Sequence, residues 1–222
     1  MPINTGNYKQ IIHELGPGTT LVAVSKTKPV EDIQELYNLG QRDFGENYVQ
    51  ELVAKQSKLP DDIRWHFIGH LQSNKVKDII PFVHLIQGVD SLKLLKEIQK
   101  QAGKTGTQVS VLLQVHIAQE ETKFGLDKQE LEDIYKQSAQ FGSILFKGLM
   151  GMASNTPDSQ KVEQEFSYLQ SLFNKYRSTT TDHWQFSVLS MGMSGDYQAA
   201  MRQGSTMVRI GSLLFGERNY QK

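Results

Sequence analysis

The chain has 222 residues with 24 Lys+Arg against 24 Asp+Glu, 38% hydrophobic and 22% charged, the balance of one ordinary globular core rather than a disordered polymer. A formal net charge of zero withholds the broad positive field that selects nucleic acid or an anionic membrane surface. The absence of cysteine excludes disulfides, thiolate nucleophiles and Cys-ligated zinc, and no apolar run approaches the roughly 18 residues of a membrane span.

In chain order, Asn4–Leu15 is predicted to form a leading helix closed by Gly16-Pro17-Gly18. Thr20–Ser25 (TLVAVS) is a β-branched run and reads as a strand. PVEDIQELYNLG then begins a helix with Pro29 at its start, acidic residues in the first turn and Gly40 at its stop. Ile33, Leu36 and Tyr37 mark its buried face. The unit recurs as strand Arg42–Gly45 and helix Tyr48–Lys58, then strand Arg64–Gly69 and helix Ser73–Ile80. Val83–Val89 precedes Ser91–Ala102, Val109–Ile117 precedes Asp127–Gln140, and Ile144–Met150 precedes Ser159–Tyr176. Phe186–Met191 leads to a short helix over Asp196–Gln203, and Met207–Ile210 to a C-terminal tail counted as the last helix.

Short apolar strands alternating with helices imply parallel βαβ units covered on both faces. Eight of them close most naturally into an α/β fold of (β/α)₈ TIM-barrel type with an extra N-terminal helix; an open doubly wound sheet is the runner-up. No linker or composition break divides residues 1–222, so a single domain is expected. With no basic-then-apolar leader after Met1, the expected location is the cytoplasm.

Chemistry in a barrel gathers where strands end. Lys26 follows directly on an apolar strand, where burial lowers an amine's pKa and makes it a nucleophile toward carbonyls; the plainer alternative is a lysine reaching into water. SMGMSGD, before the helix near Asp196, combines glycines and hydroxyls that let backbone N–H groups approach an anion, though a plain turn has the same composition. This segment and RIGS fall after strands seven and eight, where barrels often bind phosphate. Other motifs fail. Gly103-Lys104-Thr105 resembles the end of a Walker A loop, but Ile98 stands at the required first glycine, so a helix-ending turn is expected. His66 and His70 would lie roughly 13 Å apart on a strand, too far to share a metal. The methionines at 191, 193, 201 and 207 read as packing.

The blocks LVAVSKTKP, DFGENYVQE, WHFIGHLQSNK, GLMGM and LSMGMSGDYQAAMRQGSTMVRIGSLLFGER run through nearly the whole chain. They resemble the pyridoxal-phosphate homeostasis protein family, single-domain barrels similar to the N-terminal domain of alanine racemase. The resemblance implies a Schiff base between pyridoxal 5′-phosphate (PLP) and Lys26. It also implies phosphate contacts from Ser190, Ser194, Gly211 and Ser212, with Arg209 facing the pyridine nitrogen and Asn47 beside the cofactor. A cationic guanidinium there favours the unprotonated nitrogen and weakens the electron sink. A racemase also needs an acid/base on each face, which alanine racemase completes with a tyrosine from a second domain. The implied function is therefore a monomeric binding protein without clear catalytic activity, supporting intracellular vitamin B6 and amino-acid homeostasis with PLP-dependent apoenzymes as recipients. A PLP-dependent amino-acid racemase is the enzymatic alternative, and a PLP-free Schiff-base aldolase a third class.

Overall fold

A computed structural model describes residues 3–120, 124–178 and 181–216. The β-branched and aliphatic runs form eight strands: β1 (Thr20–Val24), β2 (Asp43–Glu46), β3 (Arg64–Phe67), β4 (Leu85–Val89), β5 (Val109–Gln114), β6 (Ile144–Met150), β7 (Trp184–Met193) and β8 (Met207–Ile210). They are hydrogen-bonded in sequence order and all parallel, and β8 returns to β1 with Thr20 opposite Met207 and Ala23 opposite Ile210. The result is the closed (β/α)₈ barrel, not the open sheet.

Helices α2 (Val30–Asn38), α3 (Val49–Gln56), α4 (Val76–Ile79), α5 (Leu92–Thr105), α6 (Lys128–Gln137), α7 (Ser159–Arg177), α8 (Tyr197–Arg202) and α9 (Ser212–Phe215) follow the strands. The leading helix α1 (Thr5–Leu15) is capped by Asn4 and packs on α9, where the Asn4 N–H donates to the Leu214 carbonyl at 2.7 Å. Asp127 and Glu130 form a reciprocal capping box on α6.

The apolar side chains sort into two layers. Val22, Leu85, Leu112, Met150 and Met207 plug the barrel interior. A larger layer between strands and helices includes Ile33, Leu36, Leu52, Leu95, Ile98, Phe166 and Leu169, all fully buried. Each such side chain contributes about 1.5–3 kcal/mol on burial.

Several element bounds shift, among them the ends of β3 and β5, which stop at Phe67 and Gln114. Gly103-Lys104-Thr105 is a helix-ending turn as expected, but it belongs to α5, which passes Ala102 and stops on Gly106, whose φ of 66° supplies the left-handed cap. The segment after β3 forms a 3₁₀ turn at Ser73–Lys75 before the short α4 rather than one continuous helix. Strand β7 runs on to Met193, two residues past the expected end, which moves Ser190 from the strand's tip into the barrel. The final helix covers Ser212–Phe215; the rest of the tail, residues 217–222, lies outside the described residues.

Candidate functional site

At the C-terminal mouth of the barrel is a cavity of about 290 Å³. It is walled by Val24, Ile68, Met152 and Met193, and its polar lining includes Lys26, Asn47, Ser194, Arg209, Gly211 and Ser212. Six of the seven residues singled out from the sequence therefore converge on one space. Ser190 does not line it.

Lys26 occupies a tight turn directly after β1. The Lys28 N–H donates to the Ser25 carbonyl at 3.0 Å, so Lys26 and Thr27 are the turn's central pair. Thr27 has a φ of 63°, in the left-handed region that favours glycine. Beneath the turn lies a group of charges that sequence reasoning missed. Lys55 Nζ donates to Glu46 Oε1 (2.7 Å), Glu51 Oε2 (3.0 Å) and the Ser25 carbonyl (2.9 Å). Ser25 Oγ donates to Glu46 Oε1 at 2.7 Å, and the Thr27 N–H donates to Glu51 Oε2 at 2.7 Å. Burial pushes the Glu46 carboxyl up against the pull of Lys55 and Ser25. Burial also opposes ionisation of Glu51, but the Thr27 N–H and Lys55 outweigh it and hold Glu51 below its ordinary value. Only the i, i+4 spacing of Glu51 and Lys55 was visible in the sequence.

Asn47 follows β2. Its Oδ1 is buried and finds no hydrogen-bond partner among the described residues. On the opposite side, Ser194 Oγ accepts the Gly211 N–H at 3.3 Å. A Cβ on Gly211 would stand 3.3 Å from the Val24 carbonyl, so a side chain there would crowd the wall. Lys28 also lines the cavity, with its Nζ on the Phe215 carbonyl at 2.7 Å.

Arg209 forms the floor, 4% exposed. Its Nη1 donates to Ser190 Oγ (2.6 Å) and its Nη2 to the Gly151 carbonyl (3.0 Å); it forms no salt bridge among the described residues. Burial lowers its pKa to about 10, opposed by the charge of Asp196, which leaves it cationic at neutral pH. Ser190 is fully buried and its hydroxyl is committed twice, accepting from Arg209 and donating to Gln87 Oε1 at 2.7 Å. In this structure the Ser190 hydroxyl thus braces Arg209 from below rather than opening into the cavity.

The hydrogen-bond chain continues inward. Gln87 Nε2 lies 3.0 Å from His66 Nδ1, and His66 Nε2 lies 3.0 Å from Asp43 Oδ1. With the amide donating to Nδ1, the imidazole carries its proton on Nε2 and donates it to Asp43. Arg64 closes the far end with a two-pronged contact to the Asp43 carboxylate. From Arg209 to His66 each donor thus points toward Asp43, which also accepts from Arg64 on the rim side. His66 belongs to this interior chain, whereas His70 lies outside the strand, bonded to Asp90 at 2.7 Å and stacked on Phe124. Among the described residues there is no cluster of three or more metal-ligating side chains, and no helix is long and apolar enough to cross a membrane.

Comparison with known proteins adds three findings. Residues 5–219 match the family model of the alanine racemase N-terminal domain. The Pyridoxal phosphate homeostasis protein of Pasteurella multocida is 42% identical over 91% of this chain and 88% of its own, and the human protein of the same name is 41% identical over 91% of this chain and 78% of its own. The solved structure of PipY from Synechococcus elongatus, with PLP bound, superposes with a TM-score of 0.87 at 33% identity, covering 95% of this chain and 99% of PipY.

Proposed function

The chain belongs to the alanine racemase N-terminal domain family, among the pyridoxal phosphate homeostasis proteins, and on that premise we propose that it binds PLP in the mouth cavity through Lys26 and holds it in reserve without turning over substrate. The observation that carries this reading is the meeting of Lys26, Asn47, Ser194, Arg209, Gly211 and Ser212 around one cavity.

The residues suit the cofactor. Asn47 Oδ1 is a buried acceptor still lacking a partner, and Arg209 is a buried cation without a carboxylate among the described residues. The pinched wall at Gly211 favours close approach of a ligand to backbone. When bound, PLP would supply an electrophilic aldehyde and an electron-withdrawing ring. Lys26 Nζ, as the free amine, would be the group that holds the aldehyde carbon. Ser194, Ser212 and the Gly211 N–H would hold the phosphate, Asn47 would orient the ring, and Arg209 would face the ring nitrogen. A cationic Arg209 in that position would favour an unprotonated ring nitrogen, and so a weaker electron sink. Ser190 and the Gly151 carbonyl keep the guanidinium in place.

Among the described residues lining the cavity, none is Asp, Glu, His or Tyr, and the second amine, Lys28, is engaged with Phe215. A proton can therefore be moved from the side of Lys26 but lacks a matched group on the other face, a deficit of about 10²–10⁴ in rate. Holding and releasing PLP suits this arrangement better than racemisation does. In the cell, the reading implies a cytoplasmic monomer that supplies PLP to apoenzymes and so supports vitamin B6 and amino-acid homeostasis.

Titration of the purified protein with PLP tests the reading, followed by incubation with L-alanine in D₂O. A visible Schiff-base band without accumulation of D-alanine is the expected result. Absence of the band would sink the cofactor assignment. D-alanine formed at enzyme-like turnover and lost in Lys26→Ala would establish a racemase instead.

A further inference from the structure

We propose that Glu51, acting with Lys55 and Glu46, is a positioning clamp that holds the Lys26 turn in the conformation needed for bond formation; the proposal rests on Lys26 being the PLP attachment site. Thr27 is the one residue other than glycine with positive φ among the described residues, and it sits immediately after Lys26. A β-branched side chain disfavours that region, so the conformation persists only where neighbouring groups over-determine it. Here they do so on both flanks of the lysine. The Thr27 N–H is fixed by Glu51 Oε2, the Ser25 carbonyl by Lys55 Nζ and the Ser25 hydroxyl by Glu46 Oε1. Lys55 joins the two carboxylates into one unit anchored on β2 and α3.

The burial of this unit is informative. Glu46 is fully buried and Lys55 is 7% exposed, and a buried ion pair of this kind seldom adds net stability compared with well-packed apolar side chains. What it does supply is direction, because Glu51 and Lys55 hold the backbone atoms that flank one residue and Glu46 holds the adjoining Ser25 hydroxyl. Schiff-base formation joins Lys26 Nζ to an aldehyde carbon with loss of one water, and it requires the amine to be presented within a narrow range of geometries. A turn free to relax at Thr27 would spread Lys26 over more conformations and lower the equilibrium for the C=N bond. It would leave untouched the groups assigned to the phosphate, Ser194, Gly211 and Ser212, which follow β7 and β8.

This separation provides the test. Parent protein, Glu51→Ala and Glu51→Gln are each titrated with PLP, followed by the visible band, and with pyridoxine 5′-phosphate, which keeps ring and phosphate but has an alcohol for the aldehyde. Glu51→Ala is expected to weaken PLP binding roughly tenfold, the scale of one charge-assisted hydrogen bond, with pyridoxine 5′-phosphate affinity unchanged. Glu51→Gln, whose amide oxygen can still accept the Thr27 N–H, recovers part of the loss. Thr27→Gly in the Glu51→Ala background also recovers part of the loss, since glycine enters positive φ without the steric cost that threonine carries. Equal weakening toward both ligands, or an undiminished PLP band in Glu51→Ala, would refute the clamp while leaving Lys26 as the attachment site. A parent protein with no visible band would refute the cofactor reading and the clamp together.

Discussion

The two ends of the hydrogen-bond chain inside the barrel carry the same residue type in opposite circumstances. At the N-terminal rim, Arg64 is half exposed and binds the Asp43 carboxylate through Nε and Nη2. At the mouth, Arg209 is almost wholly buried, yet its partners are a hydroxyl and a carbonyl. Desolvating a guanidinium without a counter-ion is costly, and a fold under selection for stability alone would place the carboxylate at the buried end. The mouth also keeps Asn47 Oδ1, an acceptor without a partner among the described residues, and a strained Thr27. The rim is complete by itself, while the mouth is left open in the way the proposed PLP site requires. Substitutions at the mouth should therefore change binding and spare stability, those at the rim should do the reverse, and the residues between should do some of both.

The largest expected effect is at the mouth. Lys26→Ala should abolish the visible band on addition of PLP and leave the melting temperature within a few degrees of the parent, because the side chain is partly exposed and belongs to neither apolar layer. An unchanged spectrum would assign the bond to another lysine. Next comes Ser194→Ala, which removes a hydroxyl from the Gly211 N–H and from the space assigned to phosphate. PLP affinity should fall by roughly ten- to a hundredfold, the scale of a hydrogen bond to a charged group, with affinity for unphosphorylated pyridoxal little changed. Comparable losses for the two ligands would place the phosphate elsewhere.

Ser190 sharpens the contrast because nothing in the SMGMS segment separates it from Ser194. Ser190→Ala strips one partner from Arg209 and one from Gln87, both buried. It should destabilise the protein by about 1–3 kcal/mol, as an unmet buried polar group does. It should also weaken PLP and pyridoxal alike by a few-fold, since both present the same ring to Arg209. A loss confined to PLP would show that this hydroxyl turns to the phosphate after all.

Much of the scaffold was legible because local rules and tertiary packing agree. Strands β6 and β8 lie at the predicted bounds, and α2 starts after Pro29 and ends before Gly40. Lys26 stood out because a charged residue directly after an apolar strand breaks the pattern around it. Less legible was whatever depended on where a strand ends in space. The run Phe186–Met191 is apolar enough to be recognised, but its continuation through Gly192 and Met193 is fixed by pairing with β8, in which Met193 lies opposite Arg209. That pairing decides that Ser190 points down and Ser194 up. The unit under Lys26 was hidden for a related reason: Glu46 is on β2 and Glu51 and Lys55 on α3, and the chain's return beside β1 brings them beneath the turn.

The smallest effect is expected at the rim, where it should be confined to stability. Burial would raise the Asp43 carboxyl, but hydrogen bonds from His66 and Arg64 outweigh it and hold its pKa at about 2. An unfolded aspartate titrates near ~3.9. The folded value is the lower one, so the contribution is fully present above about pH 4 and is lost as pH falls from there toward about 2. The shift corresponds to about 1–2 kcal/mol once solvent screening at the half-exposed Arg64 is allowed for. Asp43→Asn should remove this component, lowering denaturation midpoints at neutral pH and flattening the acid limb between about pH 4 and pH 2. PLP affinity should stay at the parent value, because Asp43 is separated from the cavity by His66, Gln87, Ser190 and Arg209 in turn. A change in the PLP spectrum or affinity of Asp43→Asn, at a pH where the variant is fully folded, would mean that the chain transmits the state of the rim to the mouth, and the division between the two ends would fail.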